Sequence, residues 1–123
     1  MKTTITRTEV HRFLSRLGFR NHFKGYEYIT ELVLMMLSGE LKPRLLCKFG
    51  YMKVGRKYKS TGSNVERSVR HAIDVAYNAN PMLFISSFGF YVRPTSLELL
   101  TSITTYFKDM NDDTPPIKIS YAG

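Results

Sequence analysis

Apolar residues recur at helical spacing near the start of the chain. The positions i, i+3, i+4 and i+7 of this stripe are occupied by Val10, Phe13, Leu14 and Leu17. Thr6 and Glu9 have the spacing of a capping box, and Gly18 is of a residue type that commonly ends helices. The pattern predicts a short amphipathic helix from Arg7 to Leu17.

Two further segments show helical patterns of different kinds. Apolar residues fill the segment from Lys24 to Ser38 so densely that little room is left for a polar face, which predicts a buried central helix ended by Gly39. Near the C-terminus, Thr95 and Glu98 repeat the capping-box spacing. The apolar stripe that follows consists of Leu97, Leu100, Ile103 and Phe107. It predicts a last helix from Ser96 to about Met110.

The composition changes after this last helix. The stretch from Asn111 to Pro116 is rich in residues that stop helices, and the stretch from Ile117 to Tyr121 is typical of a short extended segment. A chain of 123 residues with 43% hydrophobic residues is long enough for one modest core and too short for two. The sequence therefore predicts one domain over residues 1–110 and a flexible or extended tail over residues 111–123.

The region between the central and last helices has the order of residue types of a helix-turn-helix. A short helix from Tyr51 to about Lys59 would place Tyr51, Val54 and Tyr58 inside and basic residues outside. Gly55 would lie where the two helices come closest, and residues 59–62 would form the turn. Val65 then follows at the spacing where this motif packs an apolar residue of its second helix against the first.

The second helix of this motif is defined by its periodicity. At about 100° per residue, an apolar stripe lies opposite a polar one. The inner stripe consists of Val65, Val69, Ala72, Ile73 and Ala76, and the outer stripe of Ser63, Arg67, Arg70, His71 and Asp74. The predicted helix spans Ser63–Tyr77, with Thr61 as an alternative start, and Ser63 with Glu66 is itself a capping-box pair. The outer stripe is free to contact a partner, and the helix start favours a phosphate.

Positive charge is concentrated around this motif. The chain has 18 Lys and Arg against 10 Asp and Glu, a formal charge of +8 and a pI near 9.7. Between residues 42 and 71, Glu66 is the only acidic residue, so this segment holds the whole excess of positive charge. A solvated face without a ligand is the alternative for any charge run. Such concentration favours a polyanionic partner, with nucleic acid the first candidate and an anionic membrane the second.

Other residues that could carry chemistry predict neither an enzyme nor a metal site. The 3 histidines are dispersed, and the sequence has no Gly-rich phosphate loop and no acid pair beside a nucleophile. Cys47 is the 1 cysteine, so it forms no internal disulfide and suggests no zinc site; we expect a buried or half-buried packing thiol in a reducing cytoplasm. No stretch has the length of a signal peptide core or a membrane span. We expect no cofactor, no membrane partner and a cytoplasmic location.

Aromatic residues offer a further alternative, which is base stacking on single-stranded nucleic acid. The residues concerned are Tyr26, Tyr28, Phe84, Phe88, Phe90 and Tyr91. Their helical spacing or apolar neighbours favour core packing instead, and no convincing set of strands is present to display them.

One stretch carries a family resemblance. Residues 62–77, GSNVERSVRHAIDVAY, closely resemble the recognition helix in the C-terminal DNA-binding domain of stage zero sporulation protein A, the master response regulator of spore-forming bacteria. Leu17–Phe19 and His22–Tyr28 are similar to that domain's opening segment, and Arg93–Ser96 to the start of its last helix. The resemblance covers roughly Phe13 to Met110. It implies an all-α DNA-binding domain of about six helices with a central helix-turn-helix.

The sequence departs from the family's pattern at several points. Asn64 stands where the best-known members have an arginine, and Tyr51-Met52 stands where they have Tyr-Pro. Both departures indicate a changed target or affinity rather than lost DNA binding. The sequence also begins shortly before the domain, which leaves no room for the phosphorylatable receiver of the family's regulator. We therefore expect a standalone relative, or one from which the receiver was removed.

The resemblance implies that Glu66, Arg67, Arg70 and His71 face the DNA. Arg67 suits the bidentate contact to a guanine edge, which contributes about 1–3 kcal/mol of discrimination. Arg70 could read a base or bind phosphate, and Glu66 could accept from a cytosine amino group or cap Ser63; Asn64 and Ser63 suit either role. The predicted base-reading residues are Asn64, Glu66, Arg67 and Arg70, and the predicted phosphate-binding residues are Lys53, Arg56, Lys57, Lys59, Ser63 and His71.

These observations predict a sequence-specific binder of double-stranded DNA, a transcription regulator that reads the major groove with the helix Ser63–Tyr77. The resemblance implies tandem binding or a homodimer on DNA, with contacts near the last helix. The alternative is a plasmid- or phage-associated nucleoprotein accessory or protein-interaction factor that uses the basic face without regulating transcription. Non-specific RNA binding is a third possibility. Sporulation itself is not implied, because a fold with this helix can be reused.

Overall fold

Residues 4–110, the part of the chain that the computed structural model describes, form six α-helices and no β-strand. The helices are α1 (Arg7–Arg16), α2 (Lys24–Ser38), α3 (Tyr51–Lys57), α4 (Gly62–Ala79), α5 (Pro81–Phe88) and α6 (Ser96–Met110). A 3-10 turn, Pro43–Leu45, and a π-helical turn, Leu46–Gly50, lead directly into α3. The all-α prediction is confirmed. The predicted tail over residues 111–123 lies outside the described residues.

Three helices begin and end close to where the local sequence predicts. At the start of α1, the Glu9 amide donates to Thr6 Oγ1 at 3.2 Å. At α6 the capping box is reciprocal: the Glu98 amide donates to Thr95 Oγ1 at 3.1 Å, and the Thr95 amide donates to Glu98 Oε1 at 2.8 Å. α2 ends at Gly39, whose φ of 85° is left-handed. The predicted bounds of α2 and α6 are confirmed, and α1 ends one residue early.

The central helix of the fold is α2, which packs against α1, α3, α4 and α6. Its buried apolar residues are Tyr26, Tyr28, Ile29, Leu32, Val33 and Met36. α6 adds Leu99, Leu100, Ile103 and Phe107 to the same core. Leu97 was expected on this stripe, but it is exposed because it lies at the edge of the face that the buried residues form.

Two further expectations about burial are wrong. Tyr91 is 78% exposed, because the chain leaves α5 through the left-handed Gly89 and runs along the surface before α6. Cys47 is exposed as well, since Leu46 and Gly50 occupy the inward positions of the π-helical turn. The other predicted core aromatics are buried or half-buried, namely Tyr26, Tyr28, Phe84, Phe88 and Phe90.

Candidate nucleic-acid interface

α3 and α4 approach each other through two glycines. A Cβ atom at Gly55 would lie 2.9 Å from the Thr61 carbonyl carbon and 3.0 Å from the Ser60 carbonyl oxygen. A Cβ atom at Gly62 would lie 3.3 Å from the Met52 backbone nitrogen. Larger residues at Gly55 would push the turn away from α3, so the predicted place of Gly55 at the closest approach is confirmed.

The turn between these helices determines where α4 begins. Lys59 is left-handed, with a φ of 57°, and the Ser60 amide donates to the Gly55 carbonyl at 2.7 Å. Thr61 is then extended, and its Oγ1 accepts from the Asn64 amide at 3.1 Å. The alternative start at Thr61 is therefore confirmed, and α4 begins one residue before the predicted Ser63 and ends two residues after Tyr77.

The predicted capping pair of Ser63 with Glu66 is wrong. Ser63 lies inside the first turn of α4, because the helix is capped two residues earlier by Thr61, whose Oγ1 accepts from the Asn64 amide. Glu66 instead forms an ion pair with Arg70 one turn later, with Oε2 and Nη1 3.2 Å apart.

α4 has one buried face and one exposed face. The inward residues Val65, Val69, Ala72, Ile73 and Ala76 are all buried, as predicted. On the outward side, Ser63, Asn64, Arg67, Arg70 and His71 are exposed. Asp74, at the far end of that side, is half-buried and accepts from Arg93 Nε at 2.8 Å, which ties the segment before α6 to α4.

The predicted base-reading arginines have different surroundings. Arg67 is exposed and has no carboxylate within ion-pair distance in residues 4–110. The Arg70 side chain is 52% exposed but already paired with Glu66. Asn64 is exposed as well. Its backbone amide donates to Thr61 Oγ1, but its side chain takes no part in the helix cap. The side chains of Arg67 and Asn64 can therefore contact a ligand without first breaking a contact within residues 4–110.

The predicted phosphate-binding residues also fall into two groups. Lys53 pairs with Glu40, and Lys57 Nζ donates to both carboxylate oxygens of Glu31 at 2.7 and 2.8 Å. Arg56 and Lys59 are exposed and have no such partner among the described residues. Ser63 and His71 are also exposed, and the His71 ring lies 5.6 Å from the Phe23 ring.

Sequence reasoning missed the buried carboxylate that holds Lys57. Glu31 is 6% exposed and lies on α2, between Arg7 of α1 and Lys57 of α3, with Arg7 Nη2 at 2.6 Å from its Oε2. Burial opposes ionisation, but the hydrogen bonds from Lys57 and Arg7 outweigh it and lower the pKa of Glu31 below its ordinary value. No local pattern indicates this cluster, because its members lie on three separate helices.

The all-α fold presents a basic face on α3, the turn and α4. We define the basic face as the exposed cations of α3, the turn and α4, which are Lys53, Arg56, Lys57, Lys59, Arg67 and Arg70. The family model described as sporulation initiation factor Spo0A C terminal matches residues 10–106, which reach from α1 to α6. The chain belongs to this family, and the expected resemblance is confirmed. The family is the DNA-binding domain of a sporulation transcription factor, so the chain is a DNA-binding regulator domain.

Residues 4–110 contain no helix that is both long and apolar enough to cross a membrane. The same residues bring together no group of three His, Cys, Asp or Glu side chains that could hold a metal ion.

Proposed function

We propose that this chain is a sequence-specific transcription regulator that inserts α4 into the major groove of double-stranded DNA. The observation that carries the proposal is the polar outer side of α4, where Arg67 is exposed and unpaired within residues 4–110. An α-helix fits the major groove, where each base pair presents a distinct pattern of donors and acceptors. α3 packs against the start of α4, as the first helix of a helix-turn-helix does when it crosses the DNA backbone.

The four base-reading candidates differ in what they must give up on binding. Arg67 can donate to guanine O6 and N7 without breaking a contact, and Asn64 can pair with adenine N6 and N7 in the same way. Glu66 and Arg70 must first exchange their mutual ion pair for contacts to DNA. We therefore assign the larger share of the discrimination between bases to Arg67 and Asn64, and a smaller share to Glu66 and Arg70.

Phosphate contacts position the domain without choosing the sequence. Arg56, Lys59, Ser63 and His71 are the first candidates, because they are exposed and none forms an ion pair within the described chain. Lys53 and Lys57 are assigned a smaller share, since each already neutralises a carboxylate.

Selection from a random pool of duplex DNA at near-physiological salt tests this proposal. The wild-type chain should enrich one short motif, because Arg67 and its neighbours bind particular base edges. Arg67→Ala should lose that preference while keeping weak binding, and Arg67→Lys should lose most of it, because lysine keeps the charge but lacks the bidentate fork. Arg12→Ala is the matched control, since Arg12 is an exposed arginine on α1, outside the basic face.

The outcomes separate the candidates. A motif that Arg12→Ala keeps and Arg67→Ala loses supports reading by α4. If the wild-type chain enriches no sequence at all, the proposal of sequence-specific regulation is wrong. If Arg67→Ala enriches the same motif as the wild type, the chain reads DNA with another surface.

We also propose that two chains bind side by side on one duplex, because one short helix reads few bases. Exposed apolar residues between α5 and α6 support this, with Tyr91 at 78% and Val92 at 76% exposure. The ion pair of Arg93 with Asp74 fixes this segment relative to α4. In the same selection, paired binding should enrich two copies of the motif at one constant spacing, and a single copy would contradict it.

A groove between α2 and α3 supports a second candidate function, a nucleoprotein accessory role in which the chain docks on an acidic protein. The groove has a volume of about 620 Å³, and its apolar lining includes Met35, Phe49 and Met52. Glu31 and Glu40 line it as well, but Lys57 and Lys53 neutralise them. Arg56 is then the lining cation that would attract an acidic partner. Enrichment of a motif that depends on Arg67 would favour regulation over this alternative.

A further inference from the structure

The start of α2 is held against the middle of α4. Gly25, in the first turn of α2, makes this contact: a Cβ atom there would lie 2.4 Å from the Ser68 carbonyl oxygen and 2.7 Å from Ala72 Cβ. No side chain fits at that distance without moving one of the helices. The residues that directly precede Gly25 therefore have a defined position relative to α4.

A chain of rings places those residues beside the outward side of α4. The His71 ring lies 5.6 Å from the Phe23 ring, which in turn lies 4.5 Å from the His22 ring. Phe23 is half-buried between the two histidines, while His22, Lys24 and His71 are exposed. His22 and Lys24 thus lie next to the surface that α4 would present to DNA.

The positive charge at this position is not neutralised within the described chain. Among residues 4–110, neither His22 nor Lys24 has a carboxylate within ion-pair distance. The first acidic residue of α2, Glu27, is engaged by Arg7 at 2.8 Å and lies 2.9 Å from His11 Nε2. Lys24 therefore resembles Arg56 and Lys59, not the paired Lys53 and Lys57.

We infer that Lys24, with His22 beside it, binds the DNA backbone on the flank of the groove that α4 enters. The inference rests on the proposed function of α4. Arg56 and Lys59 lie near the first residue of α4, whereas Lys24 directly precedes Gly25, whose contact with Ser68 is about 9 Å further along the helix at 1.5 Å per residue. The two sets of cations would then hold phosphates at two separate points along the part of α4 that faces the DNA.

Salt-dependent DNA binding by Lys24→Ala tests this inference. Affinity is measured across a range of salt concentrations, both for the selected motif and for random duplex DNA. Loss of one phosphate contact should lower the slope of log K against log salt by about 0.9 and weaken binding to both DNAs alike. The enriched motif should stay the same, since a phosphate contact carries no base information.

Two controls make the result specific to this position. Lys108→Ala removes an exposed lysine from α6, beside Phe107, which packs against α1, and should leave the slope unchanged. A neutral methylphosphonate is then placed at each phosphate of the motif in turn. At one of these positions the methylphosphonate should weaken DNA binding by the wild type and cause no further loss of binding by Lys24→Ala. His22→Ala should also weaken DNA binding, and the methylphosphonate that causes it no further loss should lie at the same position or at the neighbouring one.

The outcomes distinguish this inference from the proposed function. If Lys24→Ala keeps the wild-type slope on both DNAs, the start of α2 binds no phosphate, even when the wild type still enriches its motif. If the wild type enriches no motif, the proposed function fails, and the slope on random DNA still decides whether Lys24 contacts the backbone. A fall in slope for Lys108→Ala equal to that of Lys24→Ala would also overturn the inference.

Discussion

Residues with the same formal charge differ here in their freedom to bind DNA. Lys57 Nζ lies within 2.8 Å of both oxygens of Glu31, and Lys53 pairs with Glu40. Arg56 and Arg67 are exposed and have no carboxylate partner in residues 4–110. A paired cation must exchange one anion for another when it binds phosphate, so it contributes less than a free one. Counting charges along the sequence therefore overstates how much of the basic face is available.

A single glycine sets the distance between α2 and α4. Ala is favoured over Gly in helices by about 1 kcal/mol, which by itself predicts that Gly25→Ala stabilises the chain. The contact of 2.4 Å that the new Cβ would make with the Ser68 carbonyl oxygen predicts the opposite, because overpacking costs about 1–3 kcal/mol. Because the clashing atom is a backbone oxygen, the cost lies at the upper end of that range, and we expect a net loss of about 2 kcal/mol in the free energy of unfolding, measured by urea denaturation.

Gly62→Ala is the comparison for that measurement. Its Cβ would come no closer than 3.3 Å to the neighbouring helix, so the loss should be smaller. A Gly25→Ala variant as stable as the wild type would mean that the two helices do not approach as closely as the structure has them.

At the scale of elements, α4 begins where the preceding turn places its cap. Thr61 Oγ1 accepts from the Asn64 amide, whereas Ser63 lies within the first turn. We expect Thr61→Ala to lower the free energy of unfolding by about 1 kcal/mol, the usual cost of losing an N-cap side chain. Ser63→Ala should change it by less than about 0.5 kcal/mol, as at an ordinary surface position. Thermal or urea unfolding of both variants checks this, and the reverse order of effects would place the cap at Ser63.

The elements that could be predicted from the sequence are those with both a periodic stripe and a cap. α1 and α6 have both, while α2 has a dense apolar run ended by Gly39, and the bounds of all three agree with prediction to within one residue. The helical turns over residues 43–50 and helix α5 were not located, because each is short and lacks a side-chain cap. A run such as Pro81–Phe88 is mostly apolar, and periodicity does not distinguish a short buried helix from a strand in such a run.

At the scale of the whole molecule, Glu31 ties three helices together and makes stability depend on pH. The ion pairs with Lys57 and Arg7 lower the pKa of Glu31 below its ordinary value of 4.5. A carboxyl group with a lowered pKa in the folded state contributes stability above its unfolded pKa, and the contribution is lost as the pH falls through the folded value. We expect Glu31→Gln to cost about 1–2 kcal/mol at neutral pH, a discounted figure because Arg7 and Lys57 are partly hydrated.

The measurement is urea unfolding of the wild type and Glu31→Gln at a series of pH values. The difference between them should be constant above about pH 5 and should shrink in more acidic solution, once Glu31 becomes protonated in the folded wild type. Asp109→Asn is the control, since Asp109 is exposed in the last turn of α6 and pairs with no cation in the described residues. A difference that does not depend on pH would mean that Glu31 contributes through packing alone.

The sequence by itself determined the local features of this protein: the stripes of α4, the caps of α1 and α6, the concentration of positive charge and the family. Each depends on residues within one or two helical turns, or on their order along the chain. Only the tertiary structure decided which cations are paired, as with Lys57 and Glu31, and that Gly25 brings the start of α2 beside α4. Such contacts join residues far apart in the chain, so they depend on how whole helices pack, and no local pattern contains that information.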